Sequence, residues 1–164
     1  MPVHSDPFFY ISALILGFVA GMRTMMPVAI LAITLCRRPE LAPASNPVHW
    51  LTLRPVAILI SLAALGELVV DKLPRTPNRI ALGPFLGRLI LGGFAGAALM
   101  QLGGISAWIG AACGTVGAIV GSLVMFYLRR VAGRTTGIRD PYIGAVEDVL
   151  AIAIASTVVA MLVS

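Results

Sequence analysis

The sequence predicts an all-α integral membrane protein, a polytopic bundle of transmembrane helices that forms a single domain over residues 1–164. Apolar residues make up 59% of the chain, charged residues only 12%, and the mean hydropathy is +0.96. A soluble domain has about 25% charged residues. The chain therefore has too little charge to solvate a globule of its size, and its apolar residues lie in runs long enough to cross a bilayer.

Five apolar runs approach or exceed the length of about 20 residues that a spanning helix needs, with four to six spans as the range. We predict spans at about 8–35, 54–73, 82–101, 105–128 and 142–163. Arg23 and Pro27 interrupt the first run, and a proline inside a helix removes a hydrogen bond and kinks the chain. The first span is therefore predicted to be kinked or broken there, either as one tilted helix or as two half-helices.

The basic residues between the runs predict the topology. Counting Arg88 at its edge, the connection after the second run holds four basic residues, the one after the fourth run holds four, and the one after the first run holds three. With five spans, the positive-inside rule favours eight basic residues inside over three. We therefore expect a cytoplasmic N-terminus and a periplasmic C-terminus. A re-entrant hairpin in the first run would invert this assignment.

The net positive charge also indicates what the protein binds. A net charge of +5 and a pI near 10.0 would suggest nucleic acid in a soluble protein. Here the basic residues flank apolar runs, which predicts contact with the bilayer and its anionic lipid head groups, and no nucleic acid. The cysteines, Cys36 and Cys113, form no CxxC pattern, and His4 and His49 are isolated. We therefore expect no metal site and no cofactor.

The fourth run has small residues at alternating spacings of three and four. They include the glycines Gly110, Gly114, Gly117 and Gly121, which fall on one helix face. Small residues at this spacing let helix backbones approach closely. The pattern predicts a glycine zipper that packs against other helices of the chain. The alternative is a homodimer seam or the wall of a narrow pore.

Ionisable residues inside membrane spans are costly, and they mark a functional site or a pairing network. The predicted spans contain Arg23, Glu67, Asp71, Arg88, Glu147 and Asp148. In the five-span topology, Glu67, Arg88 and Glu147 each lie about six residues from a cytoplasmic helix end. That is roughly 9 Å deep at 1.5 Å per residue. The sequence therefore predicts one layer of charge near the cytoplasmic side.

Two interpretations of this layer remain open. It could be a closed network of ion pairs that holds the bundle together, or a wet vestibule with a proton- or cation-linked site. The six residues comprise two arginines and four carboxylates. Full pairing would leave unpaired carboxylates, which must be protonated, solvated or bound to a cation. This excess favours the functional interpretation.

Several short runs, read together, resemble a known family. They lie at 21–27, 66–74, 77–79, 87–88 and 147–148. Their order and spacing resemble the bacterial membrane family catalogued as domain of unknown function 4126, and the run Glu-x-x-x-Asp-Lys-x-Pro from Glu67 to Pro74 is the most specific part. The resemblance implies a small inner-membrane protein with several spans. It implies no substrate, cofactor or catalytic residue.

These observations predict a small transporter or channel-like protein. The four intramembrane carboxylates would line its site, with Arg23 and Arg88 as counter-charges. The alternative is a non-catalytic membrane assembly or accessory subunit whose buried charges are structural. We do not expect an enzyme, because the sequence has no Ser/His/Asp set, no HExxH motif and no glycine-rich phosphate loop.

Overall fold

The computed structural model of the protein describes residues 6–70, 82–135 and 140–163, and within these ranges the chain is all-helical. The helices are α1 (Asp6–Met22), α2 (Met26–Arg37), α3 (Arg54–Val70), α4 (Leu82–Leu102), α5 (Ala107–Thr135) and α6 (Asp140–Val163). Short 3₁₀ turns at Pro39–Leu41 and His49–Thr52 lie in the connection between α2 and α3.

Apolar helices of spanning length agree with a helical membrane protein. Within the described part of the chain, three segments are long and apolar enough to cross a bilayer, at Leu82–Leu102, Ala107–Val131 and Gly144–Leu162. Two shorter apolar helices are Pro7–Met22 and Met26–Arg37. The predicted all-α membrane class is therefore supported, and the number of spans stays a prediction.

Helix ends agree with the sequence at the first run and differ after the fourth. The predicted break is confirmed, because α1 ends at Met22 and α2 begins at Met26, with Pro27 in the first turn of α2. Proline fits there because its missing N–H has no helical partner anyway. The basic loop predicted at 129–141 is wrong at residues 129–135 and 140–141, which are helical, and residues 136–139 lie outside the described part of the chain. Helix α5 continues to Thr135, since the residues after the apolar run still favour helix.

On one side, the glycines of α5 pack against α4. A Cβ atom added at Gly110 would collide with the backbone of Gly96, and one added at Gly114 would collide with the backbone of Gly92. The two helix backbones therefore touch, as small-residue faces permit. This close approach fixes the antiparallel pair that the short connection at 101–104 predicts.

The next two glycines of α5 face a different helix. A Cβ at Gly117 would collide with the backbone of Leu14, and one at Gly121 with the backbone of Phe18, both in α1. The four glycines of the predicted packing face are therefore divided between α4 and α1. Both partners belong to the same chain, so these four glycines are covered by its own helices.

The first apolar run turns back on itself. Gly103, just after α4, lies against the ring of Phe9 near the start of α1. Asn46, in the connection after α2, donates a 3.0 Å hydrogen bond from Nδ2 to the carbonyl of Gln101. The start of α1 and the connection after α2 thus meet the same end of α4, which we name the capped end. Arg54 follows Trp50 by four residues and lines one groove with Arg37, and the ring of Trp50 lies 5.7 Å from that of Phe94 in α4, so α2 also ends toward the capped end. Helices α1 and α2 run in opposite directions.

Helix α3 lies at the periphery and packs chiefly on α2 and the 49–52 turn. Its buried residues are Ala57 and Ala64, whereas Leu59 is 66% exposed and Val69 is 65% exposed. In a membrane protein such an apolar outer face meets lipid. Few buried contacts therefore hold α3 to the rest of the bundle.

Candidate functional site

The break between α1 and α2 leaves backbone N–H groups without helical partners. Thr24 N donates to Glu67 Oε1 at 2.7 Å, and Met25 N donates to Glu67 Oε2 at 2.8 Å. Thr24 and Met25 lie just before the first residue of α2, so their N–H groups are outside its hydrogen bonds, and a partly buried N–H needs an acceptor from elsewhere. A carboxylate suits this position because the positive end of the helix dipole lies there. Glu67 of α3 therefore closes the N-terminus of α2 with both of its oxygens.

Arg23 follows the last residue of α1, and its side chain reaches α6. Its residue surface is 1% exposed, and its Nε lies 2.5 Å from Oδ1 of Asp148, which is 7% exposed. Its Nη2 also lies 3.5 Å from the carbonyl oxygen of Gly144. A buried charge is costly unless it is paired, so this ion pair fixes the end of α1 against α6. The break is thus attached to α3 on one side and to α6 on the other.

A second ion pair lies beside the first. Nη2 of Arg129 lies 3.0 Å from Oε2 of Glu147, with the two side chains 21% and 5% exposed. A Cβ at Gly144 would lie 3.2 Å from Arg129 Nη2 and 3.8 Å from Arg23 Nη2. Both guanidinium groups therefore converge on the same turn of α6, and the adjacent carboxylates Glu147 and Asp148 offset their charge. We name the end of the bundle that holds these residues the charged end.

Arg129 is the site residue that the sequence analysis missed. It was assigned to a loop because the apolar run ends at Leu128. The chain from Arg129 to Gly133 contains no proline and continues the helix. Helix-forming residues beyond the apolar run were the available signal, and they would have placed Arg129 on the same helix as the glycine face.

Arg88 occupies a separate position in α4. It is 4% exposed and lies one helical turn before Gly92. A Cβ atom added at Gly92 would meet the side chains of Ala20 and Ala118. It lies six residues after Leu82, about 9 Å along the helix. The structure thus places Arg88 on a neighbouring helix, buried near the charged end. Asp71, the remaining predicted site residue, lies outside the described residues.

The charges of the described site balance. Three arginines, Arg23, Arg88 and Arg129, accompany three carboxylates, Glu67, Glu147 and Asp148, so the formal sum is +3 − 3 = 0. The excess of carboxylate that the sequence suggested is absent from the described residues, because Arg129 joins the set and Asp71 lies outside it. Within the same part of the chain, no three His, Cys, Asp or Glu residues lie together as metal ligands would.

A family model matches almost the whole chain. The model described as Domain of unknown function (DUF4126) matches residues 11–163, and the chain therefore belongs to that family. No curated protein and no solved structure matches the chain.

Proposed function

We propose that this member of the DUF4126 family is a small inner-membrane transporter or channel-like protein whose working site is the break between α1 and α2. The observation that supports this function is the contact of Glu67 with the backbone N–H groups of Thr24 and Met25. Interrupted helices inside a membrane bundle occur where they are buried in protein or line a cavity, and transporters bind substrates and ions at such interruptions.

The charge of Glu67 would control this break. An ionised carboxylate accepts both N–H groups through strong charge-assisted hydrogen bonds. A proton or a bound cation would weaken these hydrogen bonds. A protonated carboxyl group has lost its charge, and one of its oxygens has become an O–H donor. Helix α3 could then move away from α2, since few other buried contacts hold it. Glu67 would then hold the proton or cation, and the freed N–H groups of Thr24 and Met25, which are donors, would be available to water or to an anionic solute.

The direction of the helices supports a revised topology. Because α1 and α2 run in opposite directions, the start of α1 and the end of α6 both lie at the capped end. The three basic residues Arg37, Arg38 and Arg54 lie near that end, whereas the eight others counted above lie, along the sequence, in or beside the helix ends that meet at the charged end. The positive-inside rule then places the charged end in the cytoplasm and both termini in the periplasm.

The alternative function is an accessory or assembly subunit whose buried charges only stabilise the bundle. The ion pairs of Arg23 with Asp148 and of Arg129 with Glu147 favour it, together with the formal balance of three arginines and three carboxylates. Under this alternative, Glu67 is a permanent helix cap and the break never opens to water.

Ion flux into vesicles separates the two functions. The purified protein is reconstituted with phosphatidylethanolamine and phosphatidylglycerol, and entry of protons, Na⁺ and K⁺ is followed with trapped fluorescent indicators. The transporter predicts faster entry of at least one cation than in protein-free vesicles. It predicts slower entry for Glu67→Gln, because an amide opens the break but cannot carry the proton or cation. Glu40→Gln, at an exposed residue in the Pro39–Leu41 turn, is the matched control. Entry equal to protein-free vesicles for all three ions would favour the accessory subunit.

A further inference from the structure

An apolar groove with a basic mouth lies between α2 and α3. Ile33 of α2 and Ala57, Ile58 and Leu62 of α3 line it, and its volume is about 330 Å³. From Arg54 at one end to Leu62 the groove extends eight residues along α3, about 12 Å. Ile58 and Leu62 are each 59% exposed, so the groove opens on the outer face of the bundle, where lipid lies.

Two arginines stand at the mouth of this groove. Arg37 is in the last turn of α2, Arg54 is in the first turn of α3, both are exposed, and both line the groove. Neither guanidinium has an ion pair or hydrogen bond to another residue in the part of the chain that the structure describes. Two like charges on one rim favour a shared anion between them, and a guanidinium matches the geometry of phosphate oxygens.

We propose that this groove binds one anionic phospholipid, with an acyl chain along the apolar walls and the phosphodiester between Arg37 and Arg54. Apolar walls and a basic mouth together match an amphipathic anion. Free phosphate would use the arginines and leave the walls unused, and a zwitterionic lipid would gain less from two cations. The arginines lie at helix ends at the capped end of the bundle, the depth at which lipid head groups meet basic side chains.

Lipid-dependent melting of the purified full-length protein in detergent tests the head-group part of this proposal. Dioleoyl-phosphatidylglycerol should raise the melting temperature, saturating at one lipid per protein by native mass spectrometry. Dioleoyl-phosphatidylcholine and inorganic phosphate should have little effect. Arg37→Gln and Arg54→Gln should each weaken the phosphatidylglycerol affinity about tenfold, the loss of one charged hydrogen-bonding partner. Arg38→Gln, the adjacent exposed arginine that does not line the groove, should leave it unchanged.

A second pair of variants tests the groove itself. Ser61 lines the groove, and Ser61→Phe should fill it and abolish the lipid-induced shift, whereas Ala63→Phe, on an exposed position outside the groove, should preserve it. Equal lipid-free melting of the two variants separates loss of binding from loss of folding. Retained binding in Ser61→Phe, an equal effect of Arg38→Gln, or equal stabilisation by phosphatidylcholine or by phosphate alone would each overturn the proposal.

Discussion

Oε2 of Glu67 accepts a 2.8 Å hydrogen bond from the backbone N–H of Met25, so a side chain of the peripheral helix α3 completes the N-terminus of α2. The other oxygen accepts the N–H of Thr24. The preceding residue, Arg23, is paired with Asp148 of α6. Three successive residues of the break are therefore held by two helices that follow much later in the chain. Changes in the charge of Glu67 act directly on this junction.

Replacing Glu67 tests the strength of the contact. Glu67→Gln keeps one carbonyl oxygen as an acceptor but loses the charge and the second acceptor. We expect the protein to accumulate and to lose about 1–3 kcal/mol of stability, the cost of leaving a buried donor unsatisfied. Thermal melting in detergent measures this loss. Glu40→Gln should melt like the wild type. An equal loss of stability in both variants would contradict a specific contribution of the Glu67 hydrogen bonds.

The pair of Arg129 and Glu147 is testable by a double-mutant cycle. Arg129→Gln leaves Glu147 buried without this partner, and breaking a buried pair costs about 3–5 kcal/mol, less where one member is partly exposed. The double variant Arg129→Gln/Glu147→Gln should lose less stability than the two single variants combined. Arg130→Gln, the exposed neighbour, should have little effect. Strictly additive losses would show that the two side chains do not interact.

Two glycine substitutions test the close helix contacts. A Cβ at Gly114 would collide with the backbone of Gly92, whereas a Cβ at Gly66 would meet nothing within 4 Å. Gly114→Ala should therefore destabilise the protein by roughly 1–3 kcal/mol, because neither backbone can yield without moving a helix. Gly66→Ala should be neutral or stabilising by up to about 1 kcal/mol, through helix propensity. Equal melting temperatures would refute close contact of α4 and α5.

Reporter fusions test the revised topology. Because α1 and α2 run in opposite directions, fusions at the N-terminus and at the C-terminus should report the same compartment, the periplasm. A fusion after Thr135 should report the cytoplasm, where the positive-inside rule places the basic connection. If the N-terminus reported the cytoplasm and the C-terminus the periplasm, residues 8–35 would cross the membrane once. That result would contradict the opposite directions of α1 and α2.

The break in the first run was predictable from local chemistry, and its consequence was not. Arg23 and Pro27 disfavour a continuous helix in a membrane, so the sequence locates the interruption. The reversal of α2 depends on contacts between distant segments, such as Asn46 with Gln101. No local pattern encodes such a contact. The sequence therefore left a tilted helix and a pair of half-helices as alternatives.

The candidate site shows the same division. The spacing of charges along each run identified Arg23, Glu67, Arg88, Glu147 and Asp148, all of which are buried or partly buried in the structure. The identity of the partners depends on how helices pack. Glu67 binds backbone N–H groups, whereas the ion-pair interpretation would have placed an arginine there. Arg129 joins the site because α5 extends beyond its apolar run.

Access of water to the break tests the central claim most directly. In a background with Cys36→Ser and Cys113→Ala, Thr24→Cys is exposed to a membrane-impermeant maleimide added to inside-out vesicles. The transporter account predicts labelling of Thr24→Cys, severalfold faster when Glu67→Gln is added. It predicts none at Ser122→Cys, because Ser122 of α5 is 2% exposed and faces Gly21 of α1. Failure to label Thr24→Cys, both with Glu67 intact and with Glu67→Gln added, in protein that labels once unfolded, would contradict an opening break and leave Glu67 as a permanent helix cap.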